Sequence, residues 1–166
     1  MLFDLLFGSS VEVVGLNENS IQGDRAYREH FKTLESDDAV IDITDCPDLG
    51  PILFAVAAAK RGATFTGTRR LRIKESDRAA VMAKELAKFG ARVELYDNSV
   101  RVYGGNLRSP SEELYGHNDH RIVMSLSLLA SLYGGVIEGA EAIGKSFGEY
   151  FKVIRALGVS VEESED

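Results

Sequence analysis

The residue types that staple, plug or anchor a chain are scarce in these 166 residues. There is one cysteine, Cys46, with three prolines, three histidines and no tryptophan. A lone thiol cannot close a bridge within the chain, so nothing indicates an oxidising compartment, and a soluble cytoplasmic protein is expected. With one Cys and three His, a structural zinc site is not expected either. No apolar run approaches the roughly 20 residues that a membrane-spanning helix needs. Residues 1–7 are apolar, but they carry Asp4 and lack the basic flank of a signal peptide. Positive charge is also short: 19 Lys and Arg stand against 26 Asp and Glu, a net charge of −7. A chain of that sign repels a polyanion, which argues against a general nucleic-acid surface.

One stretch runs the other way. Residues 69–78 hold five cations (Arg69, Arg70, Arg72, Lys74, Arg78) and two anions, Glu75 and Asp77. A local cationic patch on an acidic chain suits a small anionic ligand, and a carboxylate embedded in it can move protons. The alternative is a solvated charged helix start.

Hydrophobic residues make up 45%, which supports an ordinary core, and the length suits one domain or a large piece of a longer protein. Residues 1–7 read as the end of a helix stopped by Gly8, and 11–14 as a strand. A helix is expected over 24–34 and a strand over 40–43. A turn follows over 45–51, with Pro51 placed early in a nearly all-apolar helix that runs to 60. Residues 63–66 read as a strand ending at Gly67. Residues 77–89 form the clearest amphipathic helix, with Val81, Met82, Leu86 and Phe89 on one face. Asp97-Asn98 joins 92–96 and 99–103 in a hairpin. A loop or irregular strand over 106–116 precedes an apolar helix over 122–133 and a strand over 136–138. A Gly-containing loop over 139–148, a helix over 150–157 and a strand over 159–161 complete the chain, with an acidic tail beyond.

The plan repeats. Gly62-Ala63-Thr64-Phe65-Thr66-Gly67 is matched 72 residues on by Gly134-Gly135-Val136-Ile137-Glu138-Gly139. Phe89-Gly90-Ala91-Arg92-Val93-Glu94 is matched 68 residues on by Leu157-Gly158-Val159-Ser160-Val161-Glu162. A partial copy opens the chain, dividing it into units over 1–36, 37–105 and 106–162, with 163–166 as a tail. Each unit runs buried helix, strand, charged loop, amphipathic helix, strand. Pseudo-symmetry would therefore gather the loops holding Gln22, Lys74 and Lys145 at one end.

Several residues in these loops carry chemistry. Lys74 and Arg78, four apart at a helix start, would share one face, with Glu75 turned about 100° away. Asn118-Asp119-His120-Arg121 stands ahead of an apolar helix that Asn118 or Asp119 can cap. Capping leaves His120 and Arg121 unexplained, and Arg121 either pairs with Asp119 or is offered to an anion. Asp48, just before Gly50-Pro51, reads by default as a helix N-cap, and Lys145 as a solvated cation.

Together these motifs resemble the C-terminal domain of the 5-enolpyruvylshikimate-3-phosphate synthase family. The resemblance is carried by Ser20-Ile21-Gln22-Gly23-Asp24, Asp45-Cys46-Pro47-Asp48-Leu49-Gly50-Pro51, Leu71-Arg72-Ile73-Lys74-Glu75-Ser76-Asp77-Arg78, Asn118-Asp119-His120-Arg121 and Gly144-Lys145-Ser146-Phe147-Gly148-Glu149-Tyr150-Phe151. The related UDP-N-acetylglucosamine enolpyruvyl transferases share that fold but lack the Lys-Glu-Ser-Asp-Arg and Asn-Asp-His-Arg strings. The resemblance implies an α+β, pseudo-threefold domain of βαβαββ-type units, helices inside and sheets outside, with the first unit truncated. It also implies transfer of the enolpyruvyl group of phosphoenolpyruvate to the 5-hydroxyl of shikimate 3-phosphate, with no metal or organic cofactor. In that family the active site lies in a cleft against an N-terminal domain that is missing here, so the chain alone would be inactive. By the same resemblance Arg78, Arg121 and Lys145 would bind phosphoenolpyruvate. Asp48 would hold shikimate hydroxyls and act as base, and Lys74 would contact the shikimate side. Glu75 would move the methylene proton, and Gln22, Asp119 and His120 would line the substrate site. A non-catalytic anion-binding module of the same fold stays open as the alternative. Arg69, Arg70 and Arg72 are expected to add only to the local positive field.

Overall fold

The computed structural model describes residues 14–164 apart from Glu18. The helix expected over 1–7, and all of the 11–14 strand except Val14, lie outside the described residues.

The most apolar segment becomes the centre of the molecule. Helix α2, Gly50–Ala59, is apolar on every face, and the side chains of Leu53, Phe54, Ala55, Val56, Ala57 and Ala58 are sealed from solvent. A helix without a polar face has to be surrounded. It packs against helix α3, Arg78–Lys88, helix α4, His120–Tyr133, and strands β2, Gly62–Thr66, and β4, Ser99–Tyr103. Phe54 of α2 meets Phe65 of β2 with ring centroids 4.7 Å apart. Helix α1, Tyr27–Thr33, follows a 3-10 turn over Gly23–Ala26 and contributes Phe31 to the same core.

Strand β1, Val40–Asp42, pairs parallel with β2. Strand β2 then pairs antiparallel with β4, and β4 with β3, Val93–Leu95, giving the order β1-β2-β4-β3. From β1 to β4 the elements run βαβαββ, with α2 and α3 as the two helices. On the sheet's inner side Ala63 stands opposite Val102 and Phe65 opposite Val100, all buried against the helices.

A second, two-stranded parallel sheet joins β5, Leu114–Tyr115, to β6, Ile137–Glu138, across α4. A 3-10 turn over Ala140–Lys145 and helix α5, Tyr150–Ala156, follow. One of the two matched segments of the expected repeat has the same backbone in both copies. Gly67 (φ 73°, ψ 25°) and Gly139 (φ 74°, ψ 24°), 72 residues apart, both adopt the left-handed conformation after a strand, and each starts a six-residue 3-10 turn. A Cβ at Gly67 would stand 2.1 Å from Thr44 Oγ1 and 2.6 Å from Asp42 Oδ1, so only glycine fits there.

The strand expected over 159–161 does not form. Gly158 (φ 93°) turns the chain after α5, Val159 N–H returns to the Ile154 carbonyl, and Arg155 Nε donates to the Val161 carbonyl at 3.0 Å. A helix carbonyl and a helix side chain take the groups that a ladder would have used. Arg69, Arg70 and Arg72 also have structural partners. Arg69 and Arg72 pair with Asp97, Arg72 donates to the Tyr96 carbonyl at 3.2 Å, and Arg70 donates to the Thr44 carbonyl at 3.3 Å. Arg69 and Arg72 tie the turn over Thr68–Ile73 to the β3–β4 hairpin loop and Arg70 ties it to the segment after β1, a more specific role than a general positive field.

Candidate active site

The charged loops meet at the end of the domain where α2, α3 and α4 begin. Asp77 caps α3 by accepting from Ala80 N–H at 3.1 Å, so the helix starts at Arg78 and not before. Lys74 lies ahead of it in extended backbone (φ −87°, ψ −162°). The shared helix face expected for Lys74 and Arg78 therefore does not exist, because the helix begins only after the Asp77 cap, three residues past Lys74. The two cations converge all the same, on Asp48.

Asp48 does not cap α2, which has no side-chain cap. Its Oδ1 lies 2.9 Å from Lys74 Nζ and 2.8 Å from Arg78 Nη1, and its Oδ2 lies 2.9 Å from Arg121 Nη2. A cap is worth about 1 kcal/mol, and three charge-assisted bonds outweigh it. Burial would raise the Asp48 pKa. The hydrogen bond from Lys74 and the charges of Arg121, Lys74 and Arg78 outweigh that, and the carboxyl ends below the usual range.

Asp119 caps α4 by accepting from Arg121 N–H at 3.0 Å, but its main partner is Arg78. Arg78 Nε donates to Asp119 Oδ2 at 2.8 Å, and Ser76 Oγ donates to the same oxygen at 2.9 Å. The pairing is thus crossed. Arg121 takes Asp48 and Arg78 takes Asp119, where the sequence suggested an Arg121–Asp119 pair or a free Arg121. Arg78 is only 2% exposed and Asp119 fully buried. For Asp119, burial pushes the pKa up, and the Arg78 bond and charge more than reverse it, leaving it below the carboxylate norm. Arg78 is held above its ordinary value: desolvation opposes this, and Asp119 and Asp48 overcome it.

Glu75 sits at the edge of this network, 3.2 Å from His120 Nδ1. Lys145 Nζ donates to the Asn118 carbonyl at 2.7 Å and to Asn118 Oδ1 at 2.6 Å, so it is not the solvated cation expected from its setting. Gln22 is exposed, and no side-chain bond joins it to the network among the described residues. Its neighbour Gly23 lies so close to the backbone of Asp45 that a Cβ would come within 1.9 Å of that carbonyl oxygen. The 22–25 loop is thereby pinned beside the turn that holds Asp48. An apolar cavity of about 260 Å³ opens on the other side of Asp48 and Arg121, lined by Ile52, Met124, Leu128 and Ile154 among others.

Ser76, bonded to Asp119, also belongs to the network, while Glu85 binds Tyr115 N–H and His117 in the segment leading to it, and neither was singled out from the sequence. Ser76 lies inside the Lys-Glu-Ser-Asp-Arg string. Glu85 is three residues from Met82 and four from Phe89, a charge in the middle of the apolar stripe of α3, and that misfit was its signal. Cys46 offers no nucleophile: burial first, then the nearby carboxylates of Asp24, Asp42 and Asp45, push its thiol up to about 11. Glu75, Asp119 and His120 present ligand atoms within 4.8 Å of one another. Asp119 already spends both oxygens on Arg78, however, and a cation there would face that guanidinium.

The chain resembles known proteins in sequence and in fold. The sequence model of the EPSP synthase family, 3-phosphoshikimate 1-carboxyvinyltransferase, matches residues 5–154. A curated 3-phosphoshikimate 1-carboxyvinyltransferase of Clostridium kluyveri is 34% identical over 94% of this chain and 41% of its own length. One of Natronomonas pharaonis is 38% identical over 74% of this chain and 28% of its own length. Among solved structures, EPSP synthase from Acinetobacter baumannii aligns with a TM-score of 0.67 and 30% identity, covering 74% of this chain and 30% of that one. The chain thus spans less than half the length of the relatives it matches.

Proposed function

From the premise that this chain belongs to the EPSP synthase family, we propose that it forms one wall of an active site for shikimate-pathway enolpyruvyl transfer. That site moves the enolpyruvyl group of phosphoenolpyruvate to the 5-hydroxyl of shikimate 3-phosphate and releases phosphate, in the cytoplasm, towards chorismate and the aromatic amino acids. The other wall is an amino-terminal domain accounting for the rest of the relatives' length. The observation that carries this reading is the convergence of Lys74, Arg78 and Arg121 on Asp48, with Glu75 and His120 alongside.

Two anionic substrates repel each other, and a cluster with more cations than carboxylates offsets that repulsion. Arg78, Arg121 and Lys145 bind the phosphate and carboxylate of phosphoenolpyruvate, Lys74 and Gln22 border the shikimate side, and Asp119, expected among the substrate ligands, is sealed from solvent and instead holds Arg78 in place. Asp48, ionised, accepts the proton of the attacking 5-hydroxyl. Three cations now depress its pKa. Substrate anions that draw those cations away would raise its basicity at the moment a base is needed. Glu75, with His120 beside it, delivers a proton to the methylene carbon as the hydroxyl adds to C2. It takes one back as the carbon–oxygen bond to phosphate breaks, and Asp48 hands the proton it took from the hydroxyl to the departing phosphate oxygen. Atoms balance without a cofactor.

Phosphate release from phosphoenolpyruvate plus shikimate 3-phosphate tests the reading. The 166 residues alone should release none, and adding the amino-terminal part of a full-length relative should restore release. In the restored enzyme, Glu75→Gln should abolish turnover and spare phosphoenolpyruvate binding. Turnover by the lone chain, or normal turnover by the Gln variant, would overturn it.

A further inference from the structure

The segment that delivers Asp119, His120 and Arg121 to the network is strained. His117 and Asn118 both hold left-handed backbones, with φ 51° and 54°, although neither is glycine. Consecutive residues stay in that region only where their surroundings over-determine them. Asp119 N–H closes the turn on the Gly116 carbonyl at 3.0 Å, and Lys145 holds Asn118 from outside.

The remaining hold comes from the interior. Glu85 is wholly buried in α3, and it spends its carboxylate on the residues just ahead of the turn. Its Oε2 accepts from Tyr115 N–H at 3.0 Å, and its Oε1 from His117 Nε2 at 2.9 Å. Lys88 Nζ, 2.8 Å from Oε2, supplies the countercharge and also donates to the Glu113 carbonyl at 2.7 Å. The Tyr115 ring packs edge-on against the His117 ring, centroids 4.8 Å apart, which fixes the imidazole in place. Helix α3 therefore grips one short segment twice, through Arg78 on Asp119 and, two turns on, through Glu85 on Tyr115 and His117.

We infer that Glu85 is a positioning residue for the anion site. By holding Tyr115 N–H and the His117 ring it sets the left-handed turn at 117–118, and so the direction in which Asp119, His120 and Arg121 leave it. The inference rests on the reading of Arg121 and Arg78 as ligands of phosphoenolpyruvate, but its structural half can be read separately.

The test follows amide resonances and phosphoenolpyruvate affinity together, in the 166-residue chain, for Glu85→Gln, His117→Ala and His117→Gly. Glu85→Gln should shift the amides of residues 115–121 and weaken phosphoenolpyruvate binding by about tenfold or more. His117→Ala, which loses the contact and keeps the backbone penalty, should do the same. Glycine takes a left-handed φ without that penalty, so His117→Gly should bind within about threefold of the parent. Unmoved amides in Glu85→Gln, or equal affinities for His117→Ala and His117→Gly, overturn the inference. If Glu85→Gln does not fold, the His117 pair decides. If the parent chain binds no phosphoenolpyruvate, the anion-site reading fails instead. The amides then decide on Glu85: shifts confined to 115–121 support it, and unmoved or scattered shifts overturn it.

Discussion

Asp48 and Glu85 are built alike and placed differently. Each is a carboxylate ringed by three nitrogen donors, and in each the donors outweigh the burial penalty and depress the pKa. For Glu85, burial comes first and is overcome by the bonds from His117, Lys88 and Tyr115 N–H. Glu85 has no exposed surface, and its one firm countercharge, Lys88, is its neighbour on the same helix turn. Asp48 keeps 30% of its side chain in solvent, and its donors are three long cations from a loop and two different helices. A sealed set of bonds can only hold a shape. A half-open set can trade one anion for another, and around Asp48 and Asp119 three cations face two carboxylates. What separates the two carboxylates is access and charge surplus, since the local bonding is the same.

The sharpest way to break this contrast is to remove Arg78, the side chain that spans the open site and the buried one. Arg78→Ala strands Asp119 as an unpaired buried charge and should cost about 3–5 kcal/mol in urea unfolding. Arg78→Lys should recover only part of that, since a single ammonium cannot serve Asp48 and Asp119 at once.

Acid comes next. Asp48, Glu85 and Asp119 all have depressed folded-state pKa values. Their stabilisation is therefore complete above the ordinary carboxylate value of about 4 and is lost as pH falls through the lower folded values. Thermal unfolding followed from pH 7 to pH 2 should hold a plateau and then drop. Glu85→Gln should flatten the drop more than Asp48→Asn does, because only the sealed carboxylate lacks solvent to replace its donors. Equal flattening would erase the distinction.

The smallest effect on stability belongs to Asp48 itself. Asp48→Asn should cost under about 1 kcal/mol, as a partly exposed ion pair does. It should also raise the affinity of the lone chain for inorganic phosphate, measured by calorimetry, because three cations lose their internal anion. Weaker phosphate binding by the Asn variant would show that Asp48 helps to build the site and does not merely occupy it.

Most elements were legible in the sequence because periodicity reports which face of a segment is buried. The all-apolar run became the central helix α2, the stripe of Val81, Met82, Leu86 and Phe89 became the inner face of α3, and Asp97-Asn98 became a hairpin loop. The matched turns at Gly67 and Gly139 were legible too, since both residues have to be glycine for backbone reasons that act locally. The strand over 159–161 was misread because an alternating pattern is necessary for a strand and not sufficient: it also needs a free edge to pair with, and here Arg155 takes the Val161 carbonyl.

The composition of the candidate site lay in the sequence by itself: which cations and which carboxylates stand at or ahead of helix starts. Its wiring was decided only by the tertiary structure. Asp48 meets Arg78 across 30 residues and Arg121 across 73, and Asp119 meets Arg78 across 41. Such partners are chosen by how α2, α3 and α4 pack, and no local rule distinguishes Arg121 with Asp119 from Arg121 with Asp48. Glu85 makes the same point. Its sequence neighbours mark it as out of place on an apolar stripe, and only the fold brings Tyr115 N–H and the His117 ring to the place where a buried carboxylate needs them.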